Sequence, residues 1–398
     1  MRKTGCALIS LLICASSVTY ATTGFQACKD RLIQQAEKEG ISTQIISHTL
    51  KPASPIQRTL DLDKNQPEFT QTFAAYFNRR ITDFRVQQGR KLLKEYQPLL
   101  QKLTEEYGVP ASYLLAFWGL ETNYGSYLGK FPVVDTLITL ACDDRRSQYF
   151  SNEVMASLKL IEANDLDPEK MLGSWAGAMG QTQFMPTTYL RYGKDGDNNH
   201  RIDLWNSIPD ALTSAANFLS TMGWEKEWKW GREVKLPKTF DFSAIGLNNK
   251  HKLSYWREKG VTTIFGSSIP SGNTDAALLL PSGYGGPAFL VYDNFEVIMG
   301  WNRSVFYALT VGHLADRING SPSLHQPPPS DEPRLTREQI KTLQTKLNGL
   351  GFDSGKPDGH IGPATRDAIR AFERSNKMIP DGYPGKELFE ALNISLQY

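Results

Sequence analysis

The chain has 398 residues, 40% hydrophobic and 22% charged, which is enough for two or more domains that each bury a core. Of its 44 Lys and Arg, Arg2 and Lys3 fall in an N-terminal leader, so the remainder balances 42 basic against 42 acidic residues. A formally neutral body carries no basic excess for nucleic acid or an anionic membrane, and no later apolar run approaches the length of a membrane span.

Residues 1–21 read as a secretory signal peptide. Arg2 and Lys3 open it, Cys6 to Val18 is mostly apolar, and Thr19-Tyr20-Ala21 offers small residues for cleavage. The alternative is a lipoprotein acylated at Cys6, Cys14 or Cys28, but none has the small-residue context before it. Soluble export to the periplasm is therefore the reading taken. Cys28 and Cys142 remain after cleavage, and in an oxidising compartment they either pair or stay as two buried thiols.

The body reads as mainly helical. Phe25, Cys28, Leu32 and Ala36 fall at helical spacing before Gly40, which is a stop. Phe73 to Tyr107 and Asn152 to Asn164 are amphipathic, as is Ile208 to Met222, entered through Pro209 and closed by Gly223. From Gly231 to Gly300 the text changes to Pro, Gly and β-favouring pieces such as "AFLVYDNFEVIMGW", predicting loops with one or two small hairpins. Helix resumes from Ser304 to Ile318. "SPSLHQPPPSDEPR", Ser321 to Arg334, is polar with five prolines and reads as a semi-rigid linker. Three short helices follow, lined by Leu343, Leu347 and Leu350, by Ile369 and Phe372, and by Leu388, Phe389 and Leu392. The expected order is leader 1–21, a catalytic domain 22–320, the linker 321–334 and a small binding module 335–398.

One residue breaks the apolar text. From Tyr107 to Gly129 the charged position is Glu121, in "LLAFWGLETNYG", with Phe117, Trp118, Tyr124 and Gly125 three and four residues away. A lone glutamate can be a solvated helix face. A carboxyl in apolar surroundings is instead disposed to hold its proton, which suits a general acid for a glycosidic leaving group, with aromatic faces to stack on sugar rings. The stretch Gly173 to Gly193, "GSWAGAMGQTQFMPTTYLRYG", combines small residues with the neutral hydrogen-bonding groups of Ser174, Gln181 and Gln183. It suits either a tight packing crossing or a cleft for an uncharged polymer.

Taken in order, "ETNYG", "RRSQYF", "GSWAGAMGQTQFMPTTY", "DGDNNHRIDLW" and "GWNRSVFYAL" resemble the lytic murein transglycosylase B family, over roughly Phe25 to Ile318. The last 60 or so residues resemble a peptidoglycan-binding domain through "DGHIGPATRDAIRAFERSN", Asp358 to Asn376. The resemblance implies a lysozyme-like helical catalytic domain with a small β-hairpin or loop region. It also implies cleavage of the β-1,4 bond between N-acetylmuramic acid and N-acetylglucosamine, leaving 1,6-anhydromuramic ends. Glu121 takes the catalytic position, acting first as acid and then as base, where most glycosidases need two carboxylates. Carried over residue by residue, Ser174, Gln183, Arg145, Arg146, Tyr124, Trp301, Asn302 and Tyr307 are expected to bind substrate, although the arginine pair also reads as surface charge. Phe218 and Trp301 stand where some members have tyrosine, so hydrogen bonds there are lost while stacking survives. Two other readings remain open, a hydrolytic muramidase and a wall-binding scaffold without turnover.

"DGDNNHRIDLWNSIPD" reads as a calcium loop with Asp195, Asp197 and Asn199 at positions one, three and five and the Arg201 carbonyl at seven. His200 replaces the usual glycine at six and Asn206 the usual glutamate at twelve; some family members close the loop with a later aspartate, here Asp210. A structural calcium and a metal-free, Asx-rich turn are both compatible with it. The chemistry itself calls for no cofactor. The expected partner is the peptidoglycan strand, with wall-synthesis proteins suggested by the need to balance lysis against synthesis, and the chain is read as a monomer.

Overall fold

The structure, a computed structural model, describes residues 16–64, 71–143, 145–164, 166–270 and 272–396, with side chains from Gly24 onward. The first fifteen positions of the leader, including Cys6 and Cys14, lie outside the described residues. The chain divides into two units that interleave in sequence: described residues up to 65 with Leu128–Ala211, and Gln66–Tyr127 with Leu212 onward. No described helix is long and apolar enough to cross a membrane.

In the first unit the helix Ser16–Lys38 buries Cys28, Leu32 and Ala36, as their spacing predicts, and the chain turns at Gly40 with φ 81°. It begins at Ser16, ahead of Phe25 where the helical spacing starts. Cys28 is disulfide-bonded to Cys142, which caps the C-terminus of the helix Val133–Ala141. The helix Ser147–Asn164 buries Phe150, Val154, Leu158 and Ile161 on one face. Glu153 is buried on the same helix, and its carboxylate accepts from the N–H (2.9 Å) and hydroxyl (2.7 Å) of Thr187, fixing the start of the helix Pro186–Tyr192. Two short strands, β1 (Phe131–Pro132) and β2 (Leu172–Gly173), pair antiparallel. Their approach needs glycine: a Cβ on Gly129 would stand 1.9 Å from the Gly173 carbonyl oxygen.

In the second unit the amphipathic run from Phe73 to Tyr107 is three helices, Phe73–Arg80, Asp83–Glu95 and Gln97–Tyr107. Thr72 and Thr82 accept from the N–H groups of Ala75 and Arg85, so each begins a helix by capping it. Pro98 opens the third, and Gly108 ends it in the left-handed conformation. The helix Ala111–Thr122 is buried continuously from Ser112 to Gly119 and packs against the helix Val305–Ile318, which is capped by Ser304.

The region read as one or two hairpins is a five-stranded antiparallel sheet. Its strands are β3 (Gly231–Lys235), β4 (His251–Lys252), β5 (Thr262–Thr263), β6 (Asp275–Leu279) and β7 (Ala288–Val291), in the spatial order β4-β6-β7-β3-β5. Strands of two to five residues are too short to show alternation, and all four residues of β7 are buried, which erases it. The latter half of "AFLVYDNFEVIMGW" is likewise not a strand. It forms the helix Asp293–Trp301, with Asp293 and Glu296 in the favourable first turn and Phe295, Val297 and Ile298 inside. Trp256, Leu253, Phe240, Leu278 and Leu290 form the core beneath the sheet.

The C-terminal module has the three helices expected: Arg337–Gly349, opened by a Thr336/Gln339 capping box, then Pro363–Ser375 and Lys386–Ala391. Leu343, Leu347, Ile369, Phe372, Leu388 and Phe389 are its core. The turn carrying "DGHIG" is tied down by Gln344, whose amide donates to Asp358, the His360 carbonyl and Thr365, and accepts from Gly359 N–H at 2.9 Å. The proline-rich segment is not a free spacer. The backbone N–H groups of His325 and Gln326 donate to the Glu233 carboxylate on β3, at 2.9 and 2.8 Å. Beyond it, Asp381 accepts from the Tyr284 N–H at 2.6 Å. Composition registers the stiffness of such a segment but not the acceptors that hold it.

Candidate active site

Glu121 sits in the last turn of the helix Ala111–Thr122, half-buried, while Phe117 and Trp118 on the preceding turn are fully inside. The apolar neighbours therefore form the floor of the site rather than a shell around the carboxyl. Tyr307, buried on the facing helix, donates its hydroxyl to Glu121 Oε1 at 2.5 Å. Burial first, and then the Glu121 charge, push that hydroxyl far above the usual tyrosine range, so it is a permanent proton donor toward the carboxylate. The aromatic floor continues through Trp301, whose ring lies 4.4 Å from Phe117 and 5.1 Å from Phe218. Phe218 and Trp301 thus pack on one another, and Trp301 packs on the helix that carries Glu121.

The chain leaves Glu121 through a turn that few sequences adopt. Asn123, Tyr124 and Gly125 all have positive φ, at 50°, 58° and 79°. Side chains hold the strained positions. Thr122 Oγ1 accepts from Gly125 N–H at 3.0 Å, and Asn123 Oδ1 accepts from Arg85 at 3.3 Å. Tyr124, expected among the substrate-binding residues, lays its ring on Gly119 and donates its hydroxyl to the Arg85 carbonyl at 2.8 Å. A Cβ at Gly119 would stand 2.7 Å from that ring. Tyr124 braces the turn that aims Glu121. Asn302 is exposed, and its side-chain oxygen accepts from the Ser304 N–H at 3.0 Å, just ahead of the helix bearing Tyr307.

The other expected residues belong to the first unit. Ser174 Oγ accepts from the N–H groups of Ala176 (3.3 Å) and Ala178 (3.0 Å), folding the glycine-rich stretch into a tight turn instead of a helix crossing. Gln183, at φ 51°, donates to the carbonyls of Leu128 and Gly180, both at 3.1 Å. Arg145 and Arg146 both bind the buried carboxylate of Asp63, which fixes the helix Gln57–Lys64, while about half of each arginine side chain stays exposed. Asp63 gave no signal in the sequence; it is one of two acids in a polar helix, over eighty positions from its partners.

Asp195, Asp197 and Asp210 converge so that their nearest carboxylate oxygens all lie within 4.8 Å of one another. His200 takes φ 68°, so the sixth loop position keeps its left-handed turn without glycine. Burial and then the Asp197 charge raise the Asp210 carboxyl, against the N–H groups of Asp203 and Gly196 that oppose the shift. Other N–H groups serve the loop's side-chain oxygens: Asn199 and His200 donate to Asp195, and Arg201 N–H donates to the Asn199 amide oxygen. The donor set fits an oxygen-ligated cation, with three converging carboxylates whose repulsion such an ion would relieve. The same bonds show how the loop keeps its shape as an Asx-rich turn.

Comparison with known proteins matches residues 24–316 to the transglycosylase SLT domain and residues 336–392 to a peptidoglycan binding domain. The chain is 30% identical over 299 residues to the membrane-bound lytic murein transglycosylase B of Escherichia coli K12, covering 72% of this chain and 80% of that protein. The fold is similar to that of SltB3 from Pseudomonas aeruginosa in complex with NAG-anhNAM-pentapeptide, with TM-score 0.88 and 39% identity over 93% of this chain and 99% of that one. It also resembles E. coli Slt35 in complex with calcium, with TM-score 0.64 and 30% identity over 74% of this chain and 92% of that one.

Proposed function

The chain belongs to the family of transglycosylase SLT-domain proteins, and on that premise we propose that it is an exported lytic transglycosylase of peptidoglycan in which Glu121 does the chemistry alone. The observation that carries the reading is the Glu121 carboxyl held by Tyr307 on an aromatic floor, at the end of a braced helix. Tyr307 engages one carboxyl oxygen and so fixes the direction in which Glu121 meets a substrate. As the acid it gives its proton to the oxygen leaving C1 of N-acetylmuramic acid, and the glycosidic bond breaks. As the carboxylate it then takes the proton of that sugar's 6-hydroxyl, which closes on C1 and leaves a 1,6-anhydro end. No water is consumed, Glu121 ends as it began, and no cofactor is needed.

Ser174, Gln183, Arg145, Arg146, Trp301 and Asn302 are assigned to substrate binding in this reading. For the arginine pair, the half-exposed guanidiniums that remain after Asp63 is satisfied suit the carboxylates of peptide stems. Residues 22–320 form the catalytic domain and 335–398 the glycan-binding module. When calcium is bound, Asp195, Asp197, Asn199, the Arg201 carbonyl and Asp210 would hold it, and its contribution is structural. Millimolar calcium is then expected to raise the melting temperature relative to chelator; equal melting in both would remove the ion from the account.

The test digests purified peptidoglycan with the parent protein and with Glu121→Gln, and the fragments are weighed. Fragments lighter by one water than hydrolytic products are expected from the parent and none from the variant. Fragments of hydrolytic mass would indicate a muramidase, no cleavage by the parent a scaffold, and equal cleavage by the variant would overturn the role of Glu121.

A further inference from the structure

Within the first unit a cavity of about 560 Å³ opens beside β2, a size suited to a small ligand. None of the residues discussed above as contacting Glu121 lines it. One wall is the segment that follows the acidic loop, Arg201 to Asn206; the other is formed by Leu128, Lys170 and Leu172. Its chemistry is unusual for a surface hollow. Trp205 is half-buried, with its indole and its backbone both tied down. Nε1 donates to the Leu172 carbonyl at 2.8 Å, the Trp205 carbonyl accepts from Gln181 at 2.8 Å, and the Trp205 N–H donates to Asp203 at 2.9 Å. Asp203 is held in turn, its N–H donating to Asp210 Oδ2 at 2.7 Å. A tryptophan so constrained yet left half-open is a platform rather than core packing.

Charge completes the hollow. Lys170 is paired with Asp167 at 2.9 Å, whereas the exposed Arg201 guanidinium makes no hydrogen bond or ion pair among the described residues. Leu172, 40% exposed, adds an apolar rim. An aromatic plane, an apolar edge, amide groups from Asn206 and one available guanidinium match a ligand that is part sugar ring and part carboxylate.

We propose that this cavity is a further glycan site, beyond those at Glu121 and in the C-terminal module, receiving a peptide-bearing disaccharide of peptidoglycan with a sugar ring on the Trp205 face and a peptide carboxylate on Arg201. The proposal rests on peptidoglycan being the substrate, and it explains why the acidic loop is wired to Trp205 through Asp210 and Asp203.

The test titrates full-length Glu121→Gln protein by calorimetry with soluble GlcNAc-MurNAc disaccharide, with and without its peptide. Three sites per chain are expected for the peptide-bearing ligand, at Glu121, in the C-terminal module and in this cavity, falling to two when Trp205→Ala is added. Trp205→Phe, which keeps a ring, is expected to retain all three. Arg201→Ala should weaken the cavity site roughly tenfold for the peptide-bearing ligand, the loss of one charge-assisted pair, and leave the peptide-free ligand unchanged. Melting curves of each variant confirm the fold. Two or fewer sites in the Glu121→Gln parent, or three sites unaltered by both Trp205→Ala and Arg201→Ala, would overturn the proposal. If Glu121→Gln still cleaved peptidoglycan, the catalytic assignment would fail, while the number of sites counted by titration would still decide whether the cavity site exists.

Discussion

Replacing Tyr307 with phenylalanine removes one oxygen atom and nothing else from the centre of the site. The ring stays buried, still 6.2 Å from Phe117, so the packing between the helices Ala111–Thr122 and Val305–Ile318 is retained. What is lost is a hydrogen bond to Glu121 Oε1, and bonds to charged groups contribute about 1.5–3 kcal/mol. Stability should register little of this, under about 1 kcal/mol, because Glu121 is half-buried and water can take the place of the hydroxyl. Turnover should register most of it. A carboxyl that wanders from the glycosidic oxygen loses the positioned acid, so kcat is expected to fall roughly ten- to hundredfold with KM little changed. The assay follows release of soluble fragments from purified peptidoglycan beside a denaturant melt of the same preparation. Turnover within twofold of the parent would refute the positioning role, and so would a loss of turnover matched by an equal loss of stability.

The same turn should be sensitive at Gly119, where alanine would drive a methyl into the Tyr124 ring; a loss of about 1–3 kcal/mol in chemical denaturation is expected, and an unchanged midpoint would mean the ring can move aside. Cys28 and Cys142 close a loop across 114 positions, so the Cys28→Ser/Cys142→Ser variant should lose about 3–5 kcal/mol and melt several degrees lower, a difference that must vanish if the thiols are in fact reduced. In the C-terminal module, burial and then the Asp381 charge push the Glu373 carboxyl up to about 8 from an ordinary 4.5. The folded chain therefore keeps a proton that the unfolded chain releases, and stability is lost as pH rises from about 4.5 through about 8. Glu373→Gln should raise the melting temperature at about pH 9 and change little at about pH 4.5; a gain confined to the acid side would reverse the sign and sink the reasoning.

Glu121 was legible because a charge inside a leucine and aromatic helix is conspicuous in any chain. Tyr307 was not conspicuous; it is one tyrosine on an ordinary amphipathic helix, 186 positions from its partner, and only family resemblance picked it out. Helices lined by Leu and Phe at regular spacing stood where expected, and their ends were set by caps such as Thr82 that local sequence encodes. The five-stranded sheet was largely hidden, since its strands are shorter than one readable period or buried on both faces. Tyr124 shows the limit for site residues, because an aromatic beside a lone glutamate looks the same in sequence whether it faces a sugar or a glycine. The assignment of Asp63 to the arginine pair was out of reach for a simpler reason, as no local pattern joins positions so far apart.

The bond from Glu233 to His325 and Gln326, with Asp381 on Tyr284, changes what the C-terminal module can do for the enzyme. On a loose tether, a binding module raises the local concentration of its ligand over a sphere set by tether length, and the gain fades as the tether grows. A module pinned at both its approach and its body samples no such sphere. Glycan that it captures is presented from a constant origin and along a constant direction, and the entropy of arranging it has already been spent in folding. Lengthening the proline segment would then bring no gain in reach until Glu233 let go.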